Sequence, residues 1–168
     1  FISITSVYSF GQQQIGNGDM EAWANNDEPD NWNSFLSASG GFSGFAGDQC
    51  DPSSDTRPGS SGTSICLIWS NSIIGNIANG NVTLGRINMG SITPSDPANH
   101  NYSDIGDPAF SEALTDTPDS IVFWVKTIPG GGVSQNARMK ATLHTNALNY
   151  QDPENAASSA EVVAQAVD

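Results

Sequence analysis

The chain is poor in positive charge. Arg57, Arg86, Lys126, Arg138 and Lys140 stand against eighteen acidic residues, for a net charge of -13. The five cations do not cluster, so nothing can replace the counterions on a phosphate backbone, and nucleic-acid binding is excluded as an expectation. An anionic membrane surface would repel the chain for the same reason. Long apolar runs are missing too: no stretch beyond the first ten residues approaches the ~18 apolar residues of a membrane span, so membrane insertion is not expected. Familiar catalytic signatures are absent, with no H-E-x-x-H, no P-loop and no G-x-S-x-G. Two cysteines and two distant histidines do not make a zinc site.

Charged residues of either sign make up 14% of the chain, while Asn, Ser, Gly, Thr and Asp are plentiful. That mixture favours turns and strands, because Asn, Ser and Asp compete for backbone hydrogen bonds and Gly costs entropy in a helix. The length suits one domain, taken as residues 12–168. Residues 1–11 read as the tail of a signal peptide. An apolar, hydroxyl-rich segment ends in Ser9-Phe10-Gly11, whose small residues match a cleavage site before Gln12. The other reading of the same alternating segment is a first β-strand.

Cys50 and Cys66 are separated by fifteen residues. In an oxidising compartment they could pair, closing a loop worth roughly 3 kcal/mol in the chain-entropy model. Alternatively, Cys66 is a buried free thiol and Cys50 an unrelated loop residue.

Short apolar runs separated by turn chemistry are the pattern of a β-sandwich or barrel. Strands are expected at 20–23, 32–36, 64–70 (SICLIWS), 82–89, 120–126 (SIVFWVK) and 137–145. The 120–126 run is the strongest, being rich in β-branched and aromatic residues. In 137–145, Met139, Ala141, Leu143 and Thr145 should form the buried face and Arg138, Lys140, Thr142 and His144 the wet one. Residues 37–62 and 93–108 read as loops, and 129–132 (PGGG) as a turn. At the end, Ser158 and Glu161 have capping-box spacing ahead of Val162 and Val163, while VVAQAV reads equally as a strand.

Asp19 and Glu21 lie two apart, so on a strand they would share a face and form a metal or acid pair. Sugar rings present apolar C–H faces that stack on Trp and Tyr, while Asn, Asp and Gln bind hydroxyls. Trp23, Trp32, Trp69, Tyr102 and Tyr150 sit near such polar residues. Tyr102 and Tyr150, in polar stretches, are expected to be exposed. Trp124 is expected to be core.

Several of these segments together resemble a known family. Asn17-Gly18-Asp19-Met20-Glu21-Ala22-Trp23 followed by Glu28-Pro29-Asp30-Asn31-Trp32 resembles an N-G-(D/S)-F-E-x-W … P-x-x-W opening. Arg57-Pro58-Gly59-Ser60-Ser61-Gly62 before SICLIW resembles a glycine turn entering a core strand. Asn79-Gly80-Asn81-Val82-Thr83-Leu84-Gly85 is similar to a glycine-flanked strand. Gly106-Asp107-Pro108-Ala109-Phe110 and Pro118-Asp119-Ser120-Ile121-Val122-Phe123-Trp124-Val125-Lys126 resemble a G-x-P-F … P-x-S-L-x-F-W-x-K segment. The family is the secreted bacterial carbohydrate metabolism domain (PCMD), whose opening is shared with jelly-roll carbohydrate-binding modules.

The resemblance implies an antiparallel jelly-roll sandwich placed outside the cytoplasm, secreted or at the cell surface, as part of a longer protein. A jelly roll has about eight strands. The six or seven visible here lead to the expectation of further strands beyond Asp168, the alternative being a complete smaller sandwich. By analogy with the modules, Glu21 with Asp19 becomes the candidate ligand set for a structural calcium ion. The expected function is non-catalytic binding of a polysaccharide or oligosaccharide, with Trp23, Trp69, Tyr102 and Tyr150 as candidate contacts. A glycoside hydrolase and a structural or adhesive module are the alternatives.

Overall fold

The computed structural model describes residues 15–117, 120–128 and 137–167. The signal-peptide segment and the 129–132 turn lie outside them. The strands are β1 (Cys50–Ser53), β2 (Ile65–Ile68), β3 (Asn71–Ile73), β4 (Asn76–Ala78), β5 (Arg86–Met89), β6 (Asn99–Tyr102), β7 (Lys140–His144), β8 (Gln151–Asp152) and β9 (Val162–Val167). Among the described residues, one short helix, α1 (Ala156–Glu161), and two 3-10 turns at Ser43–Phe45 and Pro108–Phe110 complete the elements. The strands pair into small antiparallel sheets, β1-β2, β3-β4, β5-β6-β8 and β7-β9. The chain is therefore all-β in character.

The core lies against β5. Ile87 and Met89 alternate inward, and Gly85 lets the β6 end approach: a Cβ there would collide with the Tyr102 carbonyl. Residues 33–39 run along the outer side of β5 through bridges Asn33↔Thr83 and Ser39↔Asn88. Gly40 closes that segment at φ +97, with the Met89 carbonyl 2.5 Å from where a Cβ would stand. Only glycine meets both demands.

The 64–70 and 82–89 expectations correspond to β2 and β5, and 137–145 to β7. Four others need correction. Residues 20–23 form turns: Asn17 and Met20 take positive φ, and the Asn17 side chain holds both the amide and the carbonyl of Ala22. Residues 32–36 contribute a single bridge. Residues 120–126 carry no ladder among the described residues. The division of β7 into a buried and a wet face does not hold, since Leu143 is exposed while Lys140 and Thr142 turn toward Tyr150.

Two elements arise where loops were expected. β1 lies within 37–62. β6 lies within 93–108 as Asn-His-Asn-Tyr, held by side-chain bonds that its composition concealed: Asn101 pairs with Asn81 in both directions, and Asn88 donates to the Ala98 carbonyl. At the C-terminus VVAQAV is a strand, β9, and the helix expected to begin there is corrected: α1 lies just before it and ends at Glu161. The cap is Asn155, which accepts from the Ser158 amide, and Ser158 itself is buried and accepts from the Gln151 amide.

Candidate functional site

The opening motif is a knot of turns. Asn17 Nδ2 donates to the carbonyls of Ala22 and Asp30, the Asp30 amide donates to the Ala22 carbonyl, and Asp30 Oδ1 accepts from the Ala24 amide. Trp23 Nε1 donates to Met20 and Trp32 Nε1 to Gly16. The motif segments touch one another as well. Asn33 Nδ2 donates to Ala109, and the Arg86 guanidinium lies 4.4 Å over the Phe110 ring. Glu28 Oε1 gathers four donors: the Ser34 amide and hydroxyl, each at 2.6 Å, and the Ser37 amide and hydroxyl at 3.2 and 3.0 Å.

Glu21 has a similar duty. Its carboxylate accepts from the Ser64 amide at 3.0 Å and from the Thr63 hydroxyl and amide at 2.7 Å. Those bonds hold its carboxyl below the usual range. Asp19 instead meets the Glu21 amide at 3.5 Å. Among the described residues no group of three His, Cys, Asp or Glu side chains comes together in a way that would hold a metal ion. Glu21 thus works as a clamp on the turn leading into β2.

The four aromatic candidates do not form one platform. Trp23 lies in the N-terminal turns. Trp69 follows β2, where its amide donates to Gln49 and its carbonyl accepts from Gln49 Nε2. Tyr102 lies on β6, its hydroxyl 3.2 Å from Ser39 Oγ. Tyr150 lies opposite Ser103, one residue along from Tyr102, so the two tyrosines point to opposite faces of the β5-β6-β8 sheet.

Tyr150 corrects the expectation of exposure, at 7%. Its ring stacks on His144 at 5.2 Å, and its hydroxyl donates to Glu154 at 2.8 Å. Lys140 Nζ sits in the same network, 2.8 Å from Asp152 and 3.0 Å from Glu154, with Gln165 also donating to Glu154. Burial opposes the Lys140 charge, but hydrogen bonds to Asp152, Tyr150 and Glu154 outweigh it and raise its pKa. Bonds from Tyr150, Gln165 and Lys140 bring Glu154 down to about 2.

Asp152 and Glu154 share one ammonium, and so form the carboxylate pair that a glycosidase reading would have to use. Such chemistry needs one carboxyl held protonated near neutrality. Glu154 is shifted the opposite way, so the cluster is built to hold β7, β8 and β9 together.

The exposed aromatic surface is elsewhere. Trp124 is 72% exposed. Arg57 lies over its ring at 4.2 Å, a cation–π contact that orders both side chains. Two residues on, Lys126 pairs with Asp55 at 2.5 Å. The 53–62 loop is thereby laid along the 120–128 segment. Beside it a half-open groove of about 380 Å³ is lined by Phe123, Trp124, Val125 and Met139. Exposure alternates along this segment, with Val122 and Trp124 out and Ile121 and Phe123 less so. The signal for that orientation was Lys126, which shares the face of Trp124 at a spacing of two.

Comparison of the chain with protein-family models, with curated proteins and with solved structures gave no match.

Proposed function

We propose that this chain is a non-catalytic module, acting outside the cytoplasm, that binds a polysaccharide or oligosaccharide at the Trp124 surface. One observation carries the reading: an indole that is 72% exposed is held in place by Arg57 and flanked by the Asp55–Lys126 ion pair. The free part of the ring offers a flat apolar surface to the C–H face of a sugar. Asp55, Arg57 and Lys126 supply acceptors and donors for hydroxyl groups at its edge. Most sites for neutral sugars need no strong field, which suits a chain with few cations.

The motif resemblance to the PCMD family supports the same class of ligand and a jelly-roll arrangement for the small sheets. A calcium ion at Asp19 and Glu21 would have to draw Glu21 away from the Thr63 and Ser64 donors, and the binding proposed here requires no metal. Hydrolysis finds less support, because the groove beside Trp124 is lined by apolar and thioether groups.

The test is calorimetric titration of the full chain with a panel of plant, fungal and bacterial polysaccharides. Trp124→Ala should weaken the best binder by about 10–30-fold, the loss of about 1.5–2 kcal/mol of ring contact. The fold should survive the change, since so exposed a ring contributes little to packing. Absence of binding across the panel, or equal binding by the variant, would reject the proposal and favour a structural or adhesive spacer.

A further inference from the structure

We propose that Cys50 and Cys66 are a disulfide-forming pair whose bond staples β1 to β2 at the base of the 53–62 loop. In the register of this pair Cys50 faces Ile68 and Pro52 faces Cys66. The cysteines are therefore diagonal neighbours, two positions out of register, and their side chains lie on the same face. Cys50 Sγ donates to the Asp27 carbonyl at 3.3 Å, and each thiol shifts the titration of the other. Cys50 is fully buried and Cys66 is half-buried, both as free thiols in this structure. A disulfide requires the sulfurs to close to about 2.05 Å, and the β1-β2 sheet, two-stranded among the described residues, can make that adjustment.

The reaction is thiol–disulfide exchange with an external disulfide, such as oxidised glutathione. The accessible Cys66 thiolate attacks one sulfur of the external disulfide, forming a mixed disulfide and releasing one thiol. The Cys50 thiolate then attacks the Cys66 sulfur, forming the internal bond and expelling the second thiol. Two electrons pass to the external disulfide, and the two cysteine protons end on the released thiols. In the reduced chain the Cys66 thiol lowers the Cys50 pKa, an effect that ends once the Cys66 sulfur enters the mixed disulfide. The same contact and burial raise Cys66, so its thiolate is scarce and the first step should be slow.

The enclosed loop carries Asp55 and Arg57, which reach Lys126 and Trp124. Any effect of the staple on glycan binding rests on the function proposed above; formation of the bond does not. Full-length chain should be equilibrated in glutathione buffers from reducing to oxidising poise, quenched with acid, denatured and alkylated. The expected oxidised product is a monomer two hydrogens lighter with no alkylated cysteine. Its folded-to-unfolded ratio should exceed that of the reduced chain by roughly a hundredfold. The control Cys66→Ser should leave one alkylatable thiol and abolish the difference between buffers. Two free thiols at oxidising poise would overturn the proposal. So would glutathione retained on either cysteine, or equal stability of oxidised and reduced chains.

Discussion

Glu28→Ala should lower stability by about 3 kcal/mol, moving the thermal midpoint down by about 6–12 °C. One carboxylate oxygen of Glu28 accepts four hydrogen bonds from Ser34 and Ser37. Ser34 is fully buried, so water cannot replace the lost acceptor, and a buried donor without a partner costs about 1–3 kcal/mol. Two such donors, amide and hydroxyl, belong to Ser34 alone. The knot matters beyond itself because residues 33–39 run against β5, and the Ser37 carbonyl accepts from Arg86 Nε at 2.9 Å. Glu28→Gln keeps one acceptor oxygen and should recover part of the loss. Chemical denaturation monitored by near-ultraviolet circular dichroism checks the series; a midpoint unchanged in Glu28→Ala would remove the knot from the account.

Lys140→Met should cost about 2–3 kcal/mol, below the 3–5 kcal/mol typical of a fully buried broken pair because Asp152 and Glu154 keep some solvent. The methionine leaves two carboxylates near each other, with only Arg138 at 3.6 Å from Asp152. The pH dependence follows from the shifts. Glu154 is down at about 2, so its contribution is whole above the unfolded carboxyl pKa and is lost as pH falls toward 2. Lys140 is raised, so its contribution is whole below the unfolded amine pKa and is lost only as pH climbs beyond it. From this cluster the native chain should be level across neutral pH and weaken in acid. The variant should do the reverse on mild acidification, gaining stability as its paired carboxyls take up a proton. Denaturation midpoints between pH 7 and pH 3 distinguish the two, and parallel curves would show that Lys140 does not hold the cluster.

The all-β character was legible because β2 is a short unbroken apolar run and β5 carries its apolar residues at strand period. β6 was not, since its ladder depends on asparagine amides bonding to Asn81 and to neighbouring carbonyls, a tertiary arrangement that composition reads as loop. Tyr150 misled for a related reason. Its polar neighbours in sequence are the members of a shared ion network that closes over the ring. Trp124 misled in the other direction. Dense β-branched and aromatic residues mark a strand face as apolar, but burial depends on a neighbour to cover it, and the indole stays 72% exposed under Arg57. The opening motif was singled out by its residues, and in the structure they bond turns to one another. The candidate site thus lay in the segment that carries the most specific part of the resemblance, on the residue assigned to the core.

The most direct measurement is the indole N–H region of a proton–nitrogen correlation spectrum during titration with the best-bound oligosaccharide. Each of the four tryptophans should give one signal, assigned by Trp→Phe substitution. The Trp124 signal should shift and saturate, while those of Trp23 and Trp32, bonded to the Met20 and Gly16 carbonyls, stay in place. Movement of Trp23 or Trp69 with Trp124 unmoved would contradict the account.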